Sequence, residues 1–373
     1  MLEFKEIITV IFAIGAAQAV FLFFILWKKK ENSFANKFLA VTMLIFAIDL
    51  LAGVSYLSGF VEKIPWIMGL NNSFPYLYGP LIYLYVIFLI HDREFFAKYD
   101  YLHFIPFLLI QVYGIFFFYF EGKEYQLSML DFDKPNPWHI ELIGKLIPVS
   151  GIIYVLFTII STVRFNRNIK NSFANVEKID LSWLIYLVVG TAVVWLSVLL
   201  SYLLGFIYGD ETQANLLIYI TLSVFLYVFA FKSYKQPEII TEPILNKEGR
   251  TYKKSGLSAG RADEILDKVV KLMNNDKPYL NTELNLSNLA NHLSISTHNL
   301  SEVINTKLKQ NFYDFVNSYR VEEVKRLIEN DKDSVYSILS HGYEAGFTSK
   351  SAFYSSFKKN TGITPAQYRK EVI

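Results

Sequence analysis

One acidic residue stands in the middle of a long apolar run near the start of the chain. It is Asp49, within the run 38–58. Burying an ionisable group in an apolar segment costs free energy, so such a residue usually has a partner or a function. It is therefore a candidate for recognising a signal. A hydrogen bond to a neighbouring helix is the alternative, which the sequence leaves open. We take Asp49 as the candidate signal-sensing residue.

Other charges and motifs narrow the chemistry further. Glu141 and Lys145 lie one helical turn apart near the start of another apolar run. We favour an ion pair that extends toward the end of its helix over a sensing role. The sequence contains no Walker A loop, HExxH pair or GxSxG turn. It has no cysteine, and its six histidines show no i, i+4 pair. We therefore expect no enzyme, no cofactor and no metal site.

Composition indicates that the first part of the chain lies in a membrane. The chain is 53% hydrophobic and 19% charged, whereas soluble domains average about 25% charged residues. Apolar runs of about 18 or more residues predict membrane-spanning helices. Seven such runs occur, at 7–27, 38–58, 74–91, 102–120, 140–163, 181–208 and 214–231, the fourth and fifth interrupted by Pro106 and Pro148. Residues 1–231 are thus predicted to form a seven-helix transmembrane sensor domain with the lipid bilayer as its partner.

The basic residues of the short loops predict the orientation of these helices. Loops on one side hold twelve Lys and Arg residues, and those on the other side hold four. Because basic residues concentrate in cytoplasmic loops, the N-terminus is expected outside and the C-terminal part in the cytoplasm. The outer loops, at 59–73, 121–139 and 209–213, are short. An unknown signal ligand is therefore expected to bind between the helices or in these loops.

The second part of the chain has a different composition. Residues 232–261 lose the hydrophobic periodicity and contain Pro237, Pro243 and Gly249, so we interpret them as a cytoplasmic linker. From residue 262 onward, no apolar run is long enough to span a bilayer. The net charge is −2 over residues 1–231 and +4 over residues 232–373. These features predict a soluble, weakly basic helical domain.

A helix-turn-helix pattern occupies residues 284–308. Apolar residues recur at helical spacing on both sides of a polar turn, namely Leu286, Leu289, Ala290 and Leu293 before it and Leu300, Val303 and Ile304 after it. Ser287 is the predicted cap of the first helix and Ser296 of the second. In this motif the second helix enters the major groove of DNA.

The pattern recurs over residues 334–360, and a predicted helix at 311–330 connects the two units. Val335, Ile338 and Leu339 precede a turn at Gly346, and Ser349 can cap the helix that follows. About twenty helical residues span about 30 Å, close to the spacing of about 34 Å between successive major-groove faces. The connector could hold two reading helices in adjacent grooves, or it could simply form core. The fold class is therefore all-α, a transmembrane bundle followed by a soluble helical domain.

Residues 284–370 resemble the DNA-binding domain of the AraC/XylS transcription regulators. The resemblance rests on Leu289–Ala290 and Ser296, on Gly346–Phe347 and the Phe353 that follows, and on the stretch Phe357–Arg369. The layout as a whole is similar to the membrane-anchored, seven-span subgroup of Bacteroidota-type bacteria. The resemblance implies an AraC-type DNA-binding domain over 262–373, double-stranded DNA as partner and the bacterial inner membrane as location. It implies a one-component regulator in which membrane helices sense a signal and the helical domain binds promoter DNA.

The resemblance also places the DNA-contacting residues by position. The two reading faces and the phosphate-contacting lysines beside them are Thr297, His298, Ser301, Glu302 and Asn305; Lys350, Ser351, Tyr354 and Ser355; and Lys307, Lys309, Lys358 and Lys359. Many family members carry Arg where this chain has Glu302 and Ser355. Glu302 could accept a hydrogen bond from cytosine N4 or form an ion pair with a neighbouring Lys or Arg.

A second departure concerns the helix before the second turn. The family usually has an apolar residue and an alanine where this chain has His341 and Gly342. We expect His341 to be partly exposed and Gly342 to weaken its helix by up to about 1 kcal/mol. The second unit would then be looser or less discriminating than the first.

Two questions of function stay open at the level of sequence. The alternative to a regulator is a membrane receptor or transporter whose C-terminal helical domain binds a protein partner, because a charge of +4 is modest for a DNA-binding domain. For signalling, we favour assembly of protomers, a homodimer for example, over torque through the irregular linker. The apolar stripe on 262–275 could form the contact between protomers or pack within its own domain.

Overall fold

A computed structural model describes residues 2–30, 33–64, 67, 69, 71–128, 137–176, 182–208, 211–233 and 257–373. The chain divides into two compact units, one of residues 1–163 and 181–239 and one of residues 164–180 and 240–373. Within the described ranges both units are helical and contain no β-strand, which confirms the all-α class. Most of the predicted linker, 234–256, lies outside the described residues.

The described residues of the first part of the chain form eight α-helices. They are α1 Leu2–Lys28, α2 Ser33–Leu57, α3 Pro75–Ile90, α4 Ile105–Gly114, α5 Gly122–Ser128, α6 Trp138–Ser172, α7 Ser182–Tyr208 and α8 Glu211–Ser233. A 3-10 segment, Asp100–Phe104, precedes α4, and a π-helical segment, Ile115–Tyr119, follows it. Pro106 lies in the first turn of α4 and interrupts nothing, whereas Pro148 lies inside α6.

The apolar helices match the seven predicted runs. Of the described segments, five are long and apolar enough to cross a bilayer, namely Lys5–Lys28, Ser33–Leu57, Asp100–Tyr119, Trp138–Ser172 and Leu184–Gly205. Two shorter apolar helices, Pro75–Ile90 and Leu217–Phe229, correspond to the remaining runs. Large apolar side chains are exposed on several of them, with Phe21 at 63% and Leu109 at 65%. Such surface is typical of a face that contacts lipid or a partner.

Seven α-helices form the C-terminal part of the second unit. They are α9 Ala259–Asn275, α10 Leu286–His292, α11 Thr297–Lys307, α12 Phe312–Asn330, α13 Ile338–Glu344, α14 Lys350–Thr361 and α15 Pro365–Val372. Each is preceded by a Ser, Asn or Thr whose side chain accepts a hydrogen bond from an amide of the first turn. The prediction of Ser287 as the cap of α10 is wrong, because Asn285 Oδ1 accepts from the Asn288 amide at 2.8 Å.

Two hydrophobic cores stabilise this unit. The first joins α9, α10, α11 and the start of α12, and the second joins the rest of α12 to α14. Ile265, Val269 and Met273 of α9 are buried in the first core. The apolar stripe on 262–275 therefore packs within its own domain and is not available as a contact between protomers.

Candidate nucleic-acid interface

The first predicted reading helix, α11, is held by its buried side. Ser296 Oγ accepts from the Asn299 amide at 3.2 Å, which confirms the predicted cap. Ala290 of α10 is fully buried, and its small side chain permits close approach of the two helices. The turn between them passes through Ser294, whose φ is 52°. Burial of Leu300, Val303 and Ile304 then turns the opposite side of α11 outward.

The outward side of α11 carries the predicted base-reading residues, which interact with one another. His298 is exposed, and its Nε2 lies 3.8 Å from Glu302 Oε2. Asn305 Nδ2 donates to the Ser301 carbonyl oxygen at 2.7 Å. Thr297, Ser301, Glu302 and Asn305 are half-buried. A histidine on the same helix is thus one neighbour of Glu302.

The second predicted reading helix, α14, is positioned by a glycine turn. Gly346 has φ 94°, and a Cβ there would lie 2.6 Å from the Tyr279 carbonyl oxygen. Only glycine fits this close approach. Ser349 Oγ accepts from the Ala352 amide at 3.1 Å, as predicted, and Phe353 and Phe357 are fully buried. The turn and the two buried rings fix which side of α14 faces outward.

Three of the four predicted reading residues of α14 are exposed. They are Lys350, Ser351 and Ser355. Tyr354 is half-buried, packs edge-on against Phe353 and has the Lys350 ammonium 5.6 Å from its ring centre. The ring of Tyr354 therefore packs within the domain, and its hydroxyl is the group that could hydrogen-bond to DNA.

The lysines predicted to contact phosphates fall into two kinds. Lys307 forms an ion pair with Asp263, and Lys359 Nζ lies 2.7 Å from Asp314 Oδ2. Lys309 and Lys358 are exposed. The four lysines flank the C-terminal ends of α11 and α14, where contacts to phosphate would position the protein without reading sequence.

The expectation that His341 is partly exposed is wrong. Its side chain is 3% exposed, and Nε2 lies 3.0 Å from Asp331 Oδ2. Arg369 Nη2 reaches the same oxygen at 3.3 Å and also donates to the Tyr336 carbonyl oxygen at 2.9 Å. A buried polar cluster therefore replaces the usual apolar residue and joins α12, α13 and α15.

Asp331 is the acceptor at the centre of this cluster. Burial disfavours its charged form, but the amides of Val335 and Tyr336 and the His341 ring all donate toward the carboxylate. The net result is a pKa of Asp331 below its ordinary value. The carboxylate is thus held in the charged form that these donors need.

Gly342 is required by packing. A Cβ at this position would lie 2.8 Å from Cδ1 of Phe353, whose ring is fully buried. The helix α13 therefore approaches α14 more closely than an alanine would allow. The helix-weakening effect of this glycine is evident from the sequence, whereas its contact with Phe353 is not.

The connecting helix α12 carries a buried arginine that the sequence analysis did not select. Arg320 is fully buried, and its Nε donates to the Tyr279 carbonyl oxygen at 2.7 Å. Its guanidinium carbon lies 5.8 Å from the Phe347 ring centre in the second turn. The sequence does indicate that Arg320 is buried, because Val316, Arg320 and Val324 follow one another at a spacing of four on the apolar face.

Asp49, the predicted signal-sensing residue, lies beside a cavity of the first unit. Its side chain is nearly buried, and Oδ1 accepts from Asn71 Nδ2 at 2.7 Å. Asn71 lies in the turn before α3, so this partner of Asp49 is on a loop and not on a neighbouring helix, as the alternative interpretation had it. The carboxylate also lines a cavity of 370 Å³ between α2, α3, α6, α7 and α8.

The other charged groups selected from the first part of the chain are at the surface. Lys145 Nζ and Glu141 Oε2 are 2.9 Å apart, and both side chains are more than half exposed. This agrees with the favoured interpretation as an exposed pair near the start of α6. The described residues contain no group of three His, Cys, Asp or Glu side chains suited to a metal ion.

Comparisons with known proteins agree with this geometry. A helix-turn-helix domain family matches residues 289–371, from the middle of α10 to the end of α15. The C-terminal part is an AraC-type helix-turn-helix domain. The match leaves the first unit unassigned.

Individual proteins are also similar to part of the chain. The melibiose operon regulatory proteins of Escherichia coli strain K12 and of Escherichia coli O6:H1 strain CFT073 are each 29% identical over 130 residues. The match covers 35% of this chain and 40% of each relative, so the chain spans two fifths of their length. A protein of unknown function from Listeria innocua is 27% identical, with a TM-score of 0.25, over 29% of this chain and 96% of that one.

Proposed function

We propose that this chain is a membrane-bound, one-component transcription regulator. The apolar helices span the bacterial inner membrane with the N-terminus outside, and they receive a signal. The AraC-type domain in the cytoplasm binds promoter DNA through its two helix-turn-helix units. The bilayer, DNA and a signal ligand are its partners, and a homodimer is the form we propose for paired binding sites.

The observation that carries this proposal is the repeated construction of the two reading helices. Both α11 and α14 start at a capping serine, bury an apolar side and present polar side chains on the other. Such helices can enter the major groove and hydrogen-bond base edges. Relatives named as regulatory proteins of an operon support a regulatory role. Seven apolar helical segments support the membrane location.

Selection of genomic DNA by the full chain in lipid nanodiscs tests the proposal. We expect a defined set of fragments to be enriched, with affinity that falls steeply as salt rises, because bound phosphates release counterions. A variant with both His298→Ala and Ser351→Ala should lose the enrichment, and Lys271→Ala, an exposed residue of α9, serves as control. A full chain that enriches no sequence but retains a protein partner would favour the receptor or transporter alternative.

Reporter fusions test the proposed orientation. A reporter at the C-terminus should be active only in the cytoplasm, and one inserted within residues 121–139 only outside. The reverse pattern would separate the helix-turn-helix domain from DNA and would overturn the proposed function.

A further inference from the structure

The cavity beside Asp49 has the dimensions of a ligand site. Its volume of 370 Å³ falls within the range of about 300–1,000 Å³ found for small-molecule pockets. Five helices of the first unit contribute to its walls, so a molecule bound there would contact most of the helices that form this unit.

The cavity wall carries one carboxyl group, that of Asp49. Asp49 is 6% exposed. Its bond from Asn71 fixes one carboxylate oxygen. Among the described residues that line the cavity, none is Lys, Arg or His. A carboxylate in such surroundings is best compensated by a ligand that brings a positive charge or a strong hydrogen-bond donor.

The rest of the wall favours an apolar, cationic molecule. Besides aliphatic side chains, six aromatic ones line it, namely Phe46, Tyr78, Trp195, Tyr202, Tyr219 and Phe225. Aromatic faces attract cations and also pack against apolar groups. Charge and shape thus point to the same class of ligand.

We propose that this cavity binds a small molecule with a protonated amine attached to an apolar, aromatic-sized body. The amine bonds to Asp49 and the body lies against Trp195 and the tyrosines. The inference rests on the proposed function, since the bound amine would be the signal that the first unit receives.

Calorimetric titration of the full chain in nanodiscs with phenylalkylamines of two to four methylenes tests this assignment. Each amine is compared with the alcohol of the same length. We expect saturable binding of at least one amine, roughly tenfold or more tighter than its alcohol. Asp49→Asn should abolish that preference, whereas Glu62→Gln, an exposed acid of the same unit, should keep it.

Two further results decide the proposal if Asp49→Asn fails to fold. Leu222→Trp, at a buried residue that lines the cavity, should fill it and block the amines. Equal binding of amines and alcohols, or no amine binding by a chain that still selects DNA, would overturn the assignment and leave the proposed function intact. Absence of DNA selection is a failure of the proposed function itself.

A second, independent observation concerns residues 173–175, which follow α6 and belong to the second unit. We call them the docking segment. Phe173 forms an antiparallel bridge with Asn285, the cap of α10. The Ala174 amide donates to the Leu284 carbonyl oxygen at 3.2 Å, and Ala174 is fully buried in the first core. Residues far apart in sequence thus form one packed structure.

Asn175 connects the docking segment to the buried arginine of α12. Asn175 Nδ2 donates to the Thr282 carbonyl oxygen at 2.5 Å, and its Oδ1 accepts from Arg320 Nη1 at 2.8 Å. The same Nη1 lies 3.3 Å from the Ala174 carbonyl oxygen. Removal of the docking segment would therefore take two acceptors from a fully buried guanidinium.

Arg320 also contacts the turn of the second helix-turn-helix unit. A Cβ on Gly346 would lie 3.1 Å from Arg320 Nε. Arg320 thus contacts the docking segment, the residues before α10 and the turn before α14. Helix α6, which ends at Ser172 directly before the segment, is itself long and apolar enough to cross a bilayer.

We infer that the docking segment is a regulatory latch on the DNA-binding domain. Docked, it completes the bonds of Arg320 and holds the two helix-turn-helix units in one arrangement. Movement at the end of α6 undocks it and loosens that arrangement. The inference rests on the proposed function and gives the signal a route that does not pass through residues 232–261.

Disulfide trapping tests the latch, because the chain has no native cysteine. Partners in an antiparallel bridge have Cα atoms about 4.5–5.5 Å apart, within the range of about 4.4–6.8 Å for disulfides. The pair Phe173→Cys and Asn285→Cys should therefore cross-link in the full chain. After cleavage at a protease site inserted near Gly249, the two parts should stay joined until reduced. Phe173→Cys with Lys370→Cys is the control pair.

The functional readout is affinity for DNA selected by the parent chain. Asn175→Ala should weaken DNA binding roughly fivefold to tenfold. In the triple variant, which combines Asn175→Ala with Phe173→Cys and Asn285→Cys, the disulfide should restore the affinity. Arg167→Ala, an exposed residue of α6, should leave affinity unchanged. Failure to cross-link, or unchanged affinity in Asn175→Ala, would overturn the latch while the parent's DNA binding keeps the proposed function.

Discussion

The two helix-turn-helix units build the same motif with different interiors. Five and four residues before the turn, the first unit has Leu289 and Ala290, both fully buried in an apolar core. The second has His341 and Gly342 at the equivalent positions. The histidine bonds to Asp331, and the glycine lies against Phe353.

This difference changes what each unit depends on. The first relies on apolar burial, which is non-directional and tolerant of small shifts. The second relies on directional bonds to one carboxylate from α13, α15 and the loop before α13. Removal of one partner leaves the remaining buried polar groups unsatisfied. The second unit should therefore be more sensitive to single substitutions and to pH.

The largest effect is expected from Gly342→Ala. Helix propensity alone predicts that alanine would stabilise the helix by up to about 1 kcal/mol. The added Cβ, 2.8 Å from a buried Phe353 ring, should instead destabilise the second unit by about 1–3 kcal/mol. Hydrogen exchange of the full chain should show faster exchange in 338–361 than in 286–307. The matched change Ala290→Gly should affect the first unit, and slower exchange in Gly342→Ala would contradict the packing argument.

The second comparison concerns base reading. His298 is exposed on α11, so His298→Ala should alter preference among binding sequences by about 1–3 kcal/mol at one base pair. Tyr354 is half-buried, so Tyr354→Phe keeps its packing and removes only a hydroxyl, for a change of about 0.5–1.5 kcal/mol. Binding of the full chain to a library of single-base variants measures both. Equal losses on every sequence would show that these side chains do not read bases.

How far the sequence predicted these features depends on the range of the interactions. Apolar spacing was sufficient for the seven runs, both helix-turn-helix units and the capping residues Ser296 and Ser349, because these are local patterns. The cap of α10, the burial of His341 and the bonds of Arg320 were missed. The cap of α10 is a local contact whose position was misjudged by two residues. The burial of His341 and the bonds of Arg320 depend on residues brought close by the fold, such as Asp331 and Asn175.

Acid should destabilise the second helix-turn-helix unit before the first. The pKa of Asp331 is lower in the folded domain than its ordinary value of 3.8. Its contribution to stability is therefore present above about pH 4 and is lost as pH falls through the folded pKa. Hydrogen exchange in residues 338–361 should accelerate below pH 4, before exchange in residues 286–307 does. The first unit has the apolar Leu289 where the second has His341. Asp331→Asn should lower the protection of residues 338–361 from exchange at neutral pH and remove their acid-induced loss of protection. If both units lose protection at the same pH, the role given to Asp331 is wrong.

The smallest effect distinguishes the lysines within each unit. All four lysines are exposed. Lys307 and Lys359 form ion pairs with Asp263 and Asp314, and within the described residues Lys309 and Lys358 form none. A lysine that neutralises one phosphate contributes about 0.9 to the slope of log affinity against log salt.

Lys358→Ala and Lys309→Ala should each lower that slope by about 0.9, equally for all sequences. Lys359→Ala and Lys307→Ala should change it less, because each lysine must first give up a carboxylate that lies within contact distance. Salt titrations of the four variants on one DNA fragment measure the difference. If Lys307 and Lys359 change the slope as much as Lys309 and Lys358 do, the ion pairs open on DNA, and Asp263→Asn and Asp314→Asn should then tighten binding.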